Sequence, residues 1–253
     1  MKIIISPTKK MKDSVEGYDA IHTPLLLEDT KRLYTVLSKM SVEELQACFK
    51  CNRSIAMLNY DRFQRMDLEH AYIPALFAYE GLAFQYMAPT VFDYEELAYV
   101  EEHLRILSGF YGILRCNDAV SLYRLEMQAK LEVEGYSDLY EFWGDRIARE
   151  LFADEDVVLN LASEEYSKAV LPYKGACRVI QCCFVKNSNG KLVTRATEAK
   201  MMRGEMVRYM AVHKVKDLEE IKNFSARGYH FREELSSEDT WFFVFEEENG
   251  REL

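Results

Sequence analysis

The chain has 253 residues, of which 49% are hydrophobic and 13% are aromatic, and this composition disfavours a disordered protein. Its formal net charge of −10 disfavours nucleic acid and anionic membranes as partners, unless a local basic patch opposes the overall field. The apolar runs are shorter than the roughly 18 residues that a membrane-spanning helix needs, so no membrane partner is expected.

The start of the chain predicts a strand followed by a group of helices. Lys2–Ser6 is a short apolar segment that ends at a proline, as a buried strand would. The apolar part of this segment is too short for a signal peptide, so we expect a cytosolic (cytoplasmic) protein. Helical spacing of apolar residues covers 25–40, a capping box at Ser41–Glu44 starts a second helix, and a third helix covers 54–66.

The rest of the chain mixes strands with helices. No internal repeat interrupts it, and neither does a linker rich in Pro, Gly or Ser. We therefore predict one compact α/β (α+β) domain over residues 1–253, with a mixed β-sheet surrounded by helices. The predicted elements are a buried or strand-like segment at 74–84, helices at 94–104, 137–152 and 196–215, strands at 105–108, 157–161 and 241–245, and a hairpin across 177–194.

The six cysteines are expected to be reduced thiols, because the predicted compartment is reducing. Cys48 and Cys51 form a C-x-x-C pair. A zinc site would need two more ligands and a redox motif would need a thioredoxin-like context, and the nearby sequence offers neither. We predict no metal site and no cofactor.

The segment Ile106–Met127 combines an apolar run with glycines and charges. Glycines in such a run mark points where the backbone turns or closely approaches another group. Tyr123–Glu126 alternates polar and apolar residues, which predicts a half-buried strand with Arg124 and Glu126 on one face. These two charges either pair with each other or face a ligand in a cleft, and the pattern leaves both possibilities open.

Two cationic segments indicate anion binding. Ser6–Lys10 directly follows the first predicted strand, where ligands gather in α/β sheets. On the helix that is predicted from residue 196, Lys200, Gly204 and Arg208 follow one another at intervals of four residues. The glycine would leave backbone unmasked between two cations, so this face either binds phosphate or is a solvated face paired with neighbouring glutamates.

The sequence contains no P-loop, no dinucleotide-binding fingerprint, no zinc-protease motif and no serine-hydrolase motif. The absence of a catalytic motif favours a non-enzymatic protein, although enzymatic activity stays open. We predict that the charged segments converge on one binding cleft. Its candidate residues are Ser6, Lys9, Arg115, Arg124, Glu126, Asn160, Lys200, Arg203 and Arg208.

Several ordered motifs along the chain resemble the YaaA family of peroxide stress-response proteins. The resemblance is specific because the motifs occur in order and at matching spacing. They are Ser-Pro-Thr-Lys at 6–9, Leu-Ser-Gly-Phe-Tyr-Gly-Ile-Leu-Arg at 107–115, Tyr-Arg-Leu-Glu-Met at 123–127, Phe-Trp-Gly-Asp at 142–145, Asn-Leu-Ala-Ser-Glu-Glu-Tyr at 160–166, Lys-Met-Met-Arg-Gly-Glu-Met-Val-Arg-Tyr at 200–209 and Gly-Tyr-x-Phe at 228–231.

The resemblance implies a cytosolic bacterial protein that protects against hydrogen peroxide and is linked to iron homeostasis. Lower free intracellular iron would limit iron-driven oxidative damage. The resemblance also implies an unusual α/β fold and sequence-independent binding of double-stranded DNA in a positively charged cleft. The helix-hairpin-helix-like element of the family would lie at 41–66 in this chain.

Two hypotheses for the cleft follow. In the first, the cleft tracks the phosphates of DNA without catalysis, and log affinity falls by about 0.9 per unit of log salt for each phosphate neutralised. In the second, the protein is an enzyme or sensor for a small phosphorylated or nucleotide-like ligand. Arg124 and Glu126 would then orient the ligand, and Lys9 or Lys200 would reach its phosphate.

Overall fold

A mixed sheet lies at the centre of the molecule. The computed structural model describes residues 1–13 and 17–247, and within them nine strands join in this sheet while two short strand pairs lie apart from it. The strands are β1 Lys2–Ile5, β2 Lys10–Met11, β3 Ile73–Pro74, β4 Tyr79–Glu80, β5 Leu104–Ser108, β6 Gly112–Leu114, β7 Ala119–Val120, β8 Val157–Leu161, β9 Arg178–Ser188, β10 Lys191–Val193, β11 Ser225–Ala226, β12 Tyr229–Phe231 and β13 Thr240–Phe245.

Parallel strands occupy the middle of this sheet. The order is β11-β12-β13-β9-β8-β1-β5-β6, and β10 pairs with β9. The strands β13, β9, β8, β1 and β5 run parallel, whereas the pairs near the edges are antiparallel. Strand β1 is continuously apolar at Ile3–Ile5 because both of its faces are buried. The carboxyl ends of the neighbours β1 and β8 therefore lie side by side.

Helices surround the sheet close to their predicted positions. The predicted capping box is present, since the Ser41 hydroxyl accepts the Glu44 N–H at 3.2 Å and the Glu44 carboxylate accepts the Ser41 N–H at 2.7 Å. In the described part of the chain, no helix combines the length and the apolar character of a membrane span. The helices are α1 Leu27–Leu37, α2 Val42–Phe49, α3 Arg53–Arg65, α4 Ala75–Ala78, α5 Leu82–Met87, α6 Tyr94–His103, α7 Leu139–Trp143, α8 Arg146–Phe152, α9 Glu164–Ser167, α10 Ala196–His213 and α11 Leu218–Ile221, with 3₁₀ turns at Pro89–Val91, Leu171–Tyr173 and Glu233–Leu235.

The helices α2 and α3 pack against each other where a helix-hairpin-helix-like element is predicted. Lys50 ends α2 in the left-handed region with φ of 46°, a position that glycine usually fills. Asn52 then caps α3, because its side-chain oxygen accepts the N–H of Ile55 at 2.9 Å. The hairpin is thus closed without a glycine, and an exposed lysine stands at its turn.

Helix α10 packs very closely on α5 at Gly204. A Cβ at this position would overlap the Ala83 carbonyl oxygen and lie 2.9 Å from both the Ala83 carbonyl carbon and the Met87 nitrogen. The prediction that Gly204 exposes backbone to a ligand is therefore wrong. Gly204 is buried, and its missing side chain lets two helix backbones approach each other.

Two predicted elements differ from the observed ones. The helix expected over 137–152 is divided into α7 and α8, because Gly144 takes a φ of 51° and turns the chain between them. The segment 74–84 is buried over much of its length but passes through short strands and helices rather than one strand. Short apolar runs have this ambiguity, since burial alone does not distinguish a strand from a helix.

One continuous core of buried hydrophobic side chains joins the sheet to the helices, and both halves of the sequence contribute to it. It includes Ile3 on β1, Phe110 in the loop after β5, Trp143 on α7 and Met206 on α10. The predicted fold, a compact α/β domain with a mixed sheet surrounded by helices, is confirmed.

Candidate functional site

A cleft of about 320 Å³ opens where the chain leaves the parallel strands β1 and β8. Its walls are the segment 5–10 after β1, the segment 161–166 after β8, residues 123–126, and parts of α5 and α10. Five Lys or Arg side chains and three Glu side chains line it, so a positive excess is concentrated here in a chain with a net charge of −10. This is the position at which ligands bind in α/β sheets.

Hydrogen bonds join the two loops that follow β1 and β8. The Ser6 hydroxyl oxygen accepts the Ser163 N–H at 2.8 Å, and the two hydroxyl oxygens are 3.1 Å apart. Asn160 is fully buried on β8, where its side chain accepts the Ala162 N–H at 2.9 Å and donates to Gln181 at 2.6 Å. Ser6 therefore lines the cleft, whereas Asn160 lies outside it and fixes the turn that presents residues 163–165.

The segment Tyr123–Glu126 forms one wall of the cleft without regular secondary structure, and not as the predicted strand. Its backbone packs on Gly109, where a Cβ would lie 2.6 Å from the Leu125 carbonyl oxygen. Tyr123 anchors the segment, because its hydroxyl lies 2.6 Å from the Ser108 hydroxyl and also contacts a second buried tyrosine hydroxyl at 2.7 Å. Packing on a glycine thus replaces pairing with another strand.

Arg124 and Glu126 both line the cleft, and they also pair with each other. The guanidinium of Arg124 lies 3.5 Å from the Glu126 carboxylate, and the Lys9 ammonium forms a second ion pair with that carboxylate. Both Arg124 and Glu126 are only 12% exposed, whereas Lys9 is 61% exposed. The buried Nε of Arg124 has no hydrogen-bond partner among the residues described. One donor of a fixed arginine is therefore unused at the cleft wall.

Arg203 projects from α10 at the cleft without a carboxylate partner. Its Nε is buried and makes no hydrogen bond within residues 1–13 and 17–247, and no Asp or Glu there forms an ion pair with it. Burial lowers the pKa of the Arg203 guanidinium, and the thiols of Cys183 and Cys182 oppose this shift. Arginine keeps its charge in proteins, so a half-buried guanidinium whose buried Nε has no partner favours an anion at the cleft.

The other cations of α10 have different surroundings. Lys200 is exposed, lines the cleft about one turn before Arg203 and forms no ion pair within the described ranges. Arg208 does not line the cleft, because α10 has passed beyond it after Gly204 packs on α5. Of the residues predicted to form a cationic face on α10, Lys200 and Arg203 line the cleft, whereas Gly204 and Arg208 do not.

Arg115 is held away from the cleft by Asp118, whose side chain is completely buried. Its Nε donates to the Asp118 carboxylate at 2.9 Å, and its terminal nitrogen donates to the Thr23 carbonyl at 2.8 Å. Burial raises the pKa of Asp118, while the hydrogen bonds from Arg115 lower it. Arg115 neutralises a buried carboxylate, so the predicted convergence of Arg115 with Arg124 on one cleft is not seen.

Glu165 is a cleft residue that the sequence motifs did not indicate as a candidate. Burial raises its pKa above the ordinary value of 4.5, the Gln128 N–H opposes the shift, and the nearby Glu126 carboxylate adds to it. A signal was available, because Ser163–Glu165 follows one parallel strand just as Ser6–Lys9 follows its neighbour. Polar residues after adjacent parallel strands meet at the same sheet edge.

The cysteines are free thiols. Burial raises the pKa of Cys48 to about 11, and the charges of Glu126 and Cys51 add to the shift. In the described residues, no three His, Cys, Asp or Glu side chains are grouped as metal ligands would be.

Comparison with known proteins agrees with the ordered motifs. A family model described as "Peroxide stress protein YaaA" matches residues 1–235. The chain belongs to this family. A UPF0246 protein of Pediococcus pentosaceus is 44% identical over 96% of this chain and 98% of its own length. UPF0246 proteins of Desulfitobacterium hafniense and Lachnoclostridium phytofermentans are 46% and 43% identical, over 96% and 100% of this chain and 98% and 99% of their own lengths. The YaaA-family resemblance is thus confirmed for a chain with bacterial relatives.

Proposed function

We propose that this YaaA-family protein acts in the cytosol during peroxide stress by binding a small phosphorylated or nucleotide-like compound in the cleft between β1, β8 and α10. The observation that carries the proposal is Arg203, a half-buried arginine whose buried Nε makes no hydrogen bond and which has no carboxylate partner in residues 1–13 and 17–247. A phosphate would supply the missing negative charge and would accept hydrogen bonds from the planar guanidinium.

The size of the cleft also favours a small ligand. A volume of about 320 Å³ is at the lower end of the range of about 300–1,000 Å³ that is typical of small-molecule pockets. A DNA duplex, whose major groove alone is about 12 Å wide, is too large to enter it. The three glutamates in the lining would moreover repel a continuous row of phosphates, whereas they can be accommodated around a ligand with one anionic end.

Thermal shift measurements with inorganic phosphate, sugar phosphates and nucleotides test the proposal, and calorimetry then gives the Kd of each compound that stabilises the protein. Removing a charge-assisted hydrogen bond costs about 1.5–3 kcal/mol, so Arg203→Met should weaken binding about 10–100-fold. Arg208→Met is the matched control, because Arg208 belongs to the same helix but lies outside the cleft. Equal binding by Arg203→Met and wild type would refute the proposal.

Double-stranded DNA is a second candidate ligand, and exposed lysines support it. The exposed Lys50 stands at the turn of the α2–α3 hairpin. Lys9 at the cleft is 61% exposed, although it also pairs with Glu126. DNA would lie across this surface without entering the cleft, and its phosphates would contact the two lysines.

Fluorescence anisotropy with a labelled duplex separates the two candidates. If DNA is the ligand, log affinity should fall steeply with log salt, by about 0.9 for each phosphate contacted. Lys50→Gln should then reduce this slope by about one contact, whereas Arg203→Met should leave it unchanged. No binding of duplex at about 50 mM salt, where such contacts are strong, would exclude the DNA candidate.

A link between the cleft and peroxide resistance is part of the proposal. Binding would contribute to lowering free intracellular iron and thus to limiting iron-driven damage. We expect a strain that carries Arg203→Met in place of the wild-type protein to lose resistance to hydrogen peroxide and to contain more free iron, while Arg208→Met preserves both. Full resistance with Arg203→Met, at equal protein level, would separate the cleft from the stress response.

A further inference from the structure

Two groups of charged residues that line the cleft lie on different elements. Arg203 and Lys200 extend from α10, and the thiols of Cys182 and Cys183 are the charged or titratable neighbours that influence Arg203. Glu126 and Glu165 belong to the segments after Tyr123 and after β8, and the Glu126 carboxylate helps to raise the pKa of Glu165. The cleft thus has a cationic side on α10 and an acidic side on these two segments, where Glu126 also pairs with Arg124 and Lys9.

Glu165 on the acidic side has unused capacity to accept hydrogen bonds. Backbone N–H groups reach its carboxylate, with that of Gln128 at 3.3 Å, but no cation of the described chain forms an ion pair with it. The other groups that face it are Glu126, Lys9 and the hydroxyls of Tyr140 and Tyr166. A carboxylate has about four acceptor positions, so Glu165 can accept further hydrogen bonds at the cleft that it lines.

A ligand that consists of phosphate alone would not account for the acidic side of the cleft. A carboxylate near a bound phosphate weakens its binding by repulsion, unless cations neutralise it, as Arg124 and Lys9 do for Glu126. Glu165 has no such ion pair within the described residues, so groups of the ligand that donate hydrogen bonds would compensate it. Hydroxyl groups are the donors that a phosphorylated metabolite most simply offers, and carboxylates accept them with charge-assisted bonds. The two sides therefore match a ligand with a phosphate at one end and several hydroxyls at the other.

Resting on the function proposed above, we infer that the ligand is a phosphorylated sugar, either free or as part of a nucleotide. Its phosphate contacts Arg203 and Lys200, and its sugar hydroxyls donate to Glu165 and Glu126. The interior of a DNA strand does not satisfy this site, because its deoxyribose has no free hydroxyl and its phosphates repeat along the chain.

Calorimetry with two matched probes tests this assignment. Methyl phosphate carries the anionic end alone, whereas ribose 5-phosphate adds sugar hydroxyls. We expect wild type to bind ribose 5-phosphate at least about tenfold more tightly than methyl phosphate, as one charge-assisted hydrogen bond would produce. Glu165→Gln should lose most of this difference and bind methyl phosphate more tightly than wild type, because it removes the repulsion between the carboxylate and the phosphate. Glu164→Gln, at the exposed neighbouring position, should behave as wild type.

The outcomes distinguish this inference from the proposed function. Equal affinity of the wild-type protein for the two probes would overturn the sugar assignment and leave phosphate binding intact. If neither probe binds, both the sugar assignment and the proposed phosphate binding are overturned. This comparison within wild type does not depend on the folding of any variant. AMP, measured in the same way, identifies the source of the sugar phosphate: tighter binding than ribose 5-phosphate indicates a nucleotide, and equal or weaker binding indicates a free sugar phosphate.

Discussion

Arg203 and Arg115 should respond in opposite ways when their charge is removed. Arg203 is half-buried beside the cleft, and its buried Nε has no partner in the described part of the molecule, whereas Arg115 neutralises Asp118, which is 0% exposed. Methionine preserves most of the aliphatic length of arginine and removes the guanidinium. We therefore expect Arg203→Met to stabilise the ligand-free protein and Arg115→Met to destabilise it.

The magnitudes follow from these surroundings. A buried polar group without a partner costs about 1–3 kcal/mol, and in Arg203 only the Nε is such a group, so Arg203→Met should raise the free energy of unfolding by about 1 kcal/mol. Removing one member of a buried ion pair costs about 3–5 kcal/mol, which is the expected loss for Arg115→Met. In proteins of about this size, 1 kcal/mol shifts Tm by about 2–4 °C. The first variant should therefore gain a few degrees, and the second should lose roughly ten.

Urea unfolding and thermal melts followed by circular dichroism measure both changes. The buffer must contain no phosphate or sulfate, because an anion in the cleft would stabilise wild type and conceal the cost of the unpaired guanidinium. Added phosphate should then stabilise wild type more than Arg203→Met. A loss of stability in Arg203→Met as large as that in Arg115→Met would refute the reasoning, because it would mean that Arg203 already has a compensating partner.

Three further results are expected. Gly204→Ala places a Cβ against the Ala83 carbonyl. Although alanine favours helices, the variant should lower the free energy of unfolding, measured with urea, by about 1–3 kcal/mol. An unchanged value would contradict the close packing of α10 on α5. Tyr123→Phe removes a hydroxyl with two buried partners and should cost about 1–3 kcal/mol in the same assay, and a neutral effect would contradict its anchoring role. Burial raises the pKa of Glu165 above 4.5, so the folded state binds the carboxyl proton more tightly than the unfolded state does. The free energy of unfolding should therefore fall as pH rises through the raised pKa. An identical pH profile for Glu165→Gln would contradict this expectation.

The central sheet and the longer helices could be predicted from the sequence because their patterns are local. The apolar run Ile3–Ile5, the capping box at Ser41 and the long helical pattern after residue 196 each determine an element through nearby residues. The helix break at Gly144 was missed, because apolar periodicity continues across a residue whose φ is positive. Backbone conformation at a single glycine is not visible in such a pattern.

The cleft could be predicted only in part because partners distant in sequence decide the role of each charge. Arg115 and Arg124 lie in the same apolar segment, yet Arg115 is occupied by Asp118 while Arg124 lines the cleft. Glu165 lies at the cleft because β8 pairs with β1, and this pairing is not visible in the sequence. The close packing at Gly204 similarly depends on α5, which lies more than a hundred residues earlier in the chain.

The position of the phosphate in crystals of the protein grown with ribose 5-phosphate tests the central claim most directly. The account predicts phosphate oxygens within hydrogen-bond distance of the Arg203 guanidinium, with the sugar hydroxyls directed toward Glu165. A phosphate bound at another surface, with the Arg203 guanidinium still unpartnered while ribose 5-phosphate binds in solution, would contradict it.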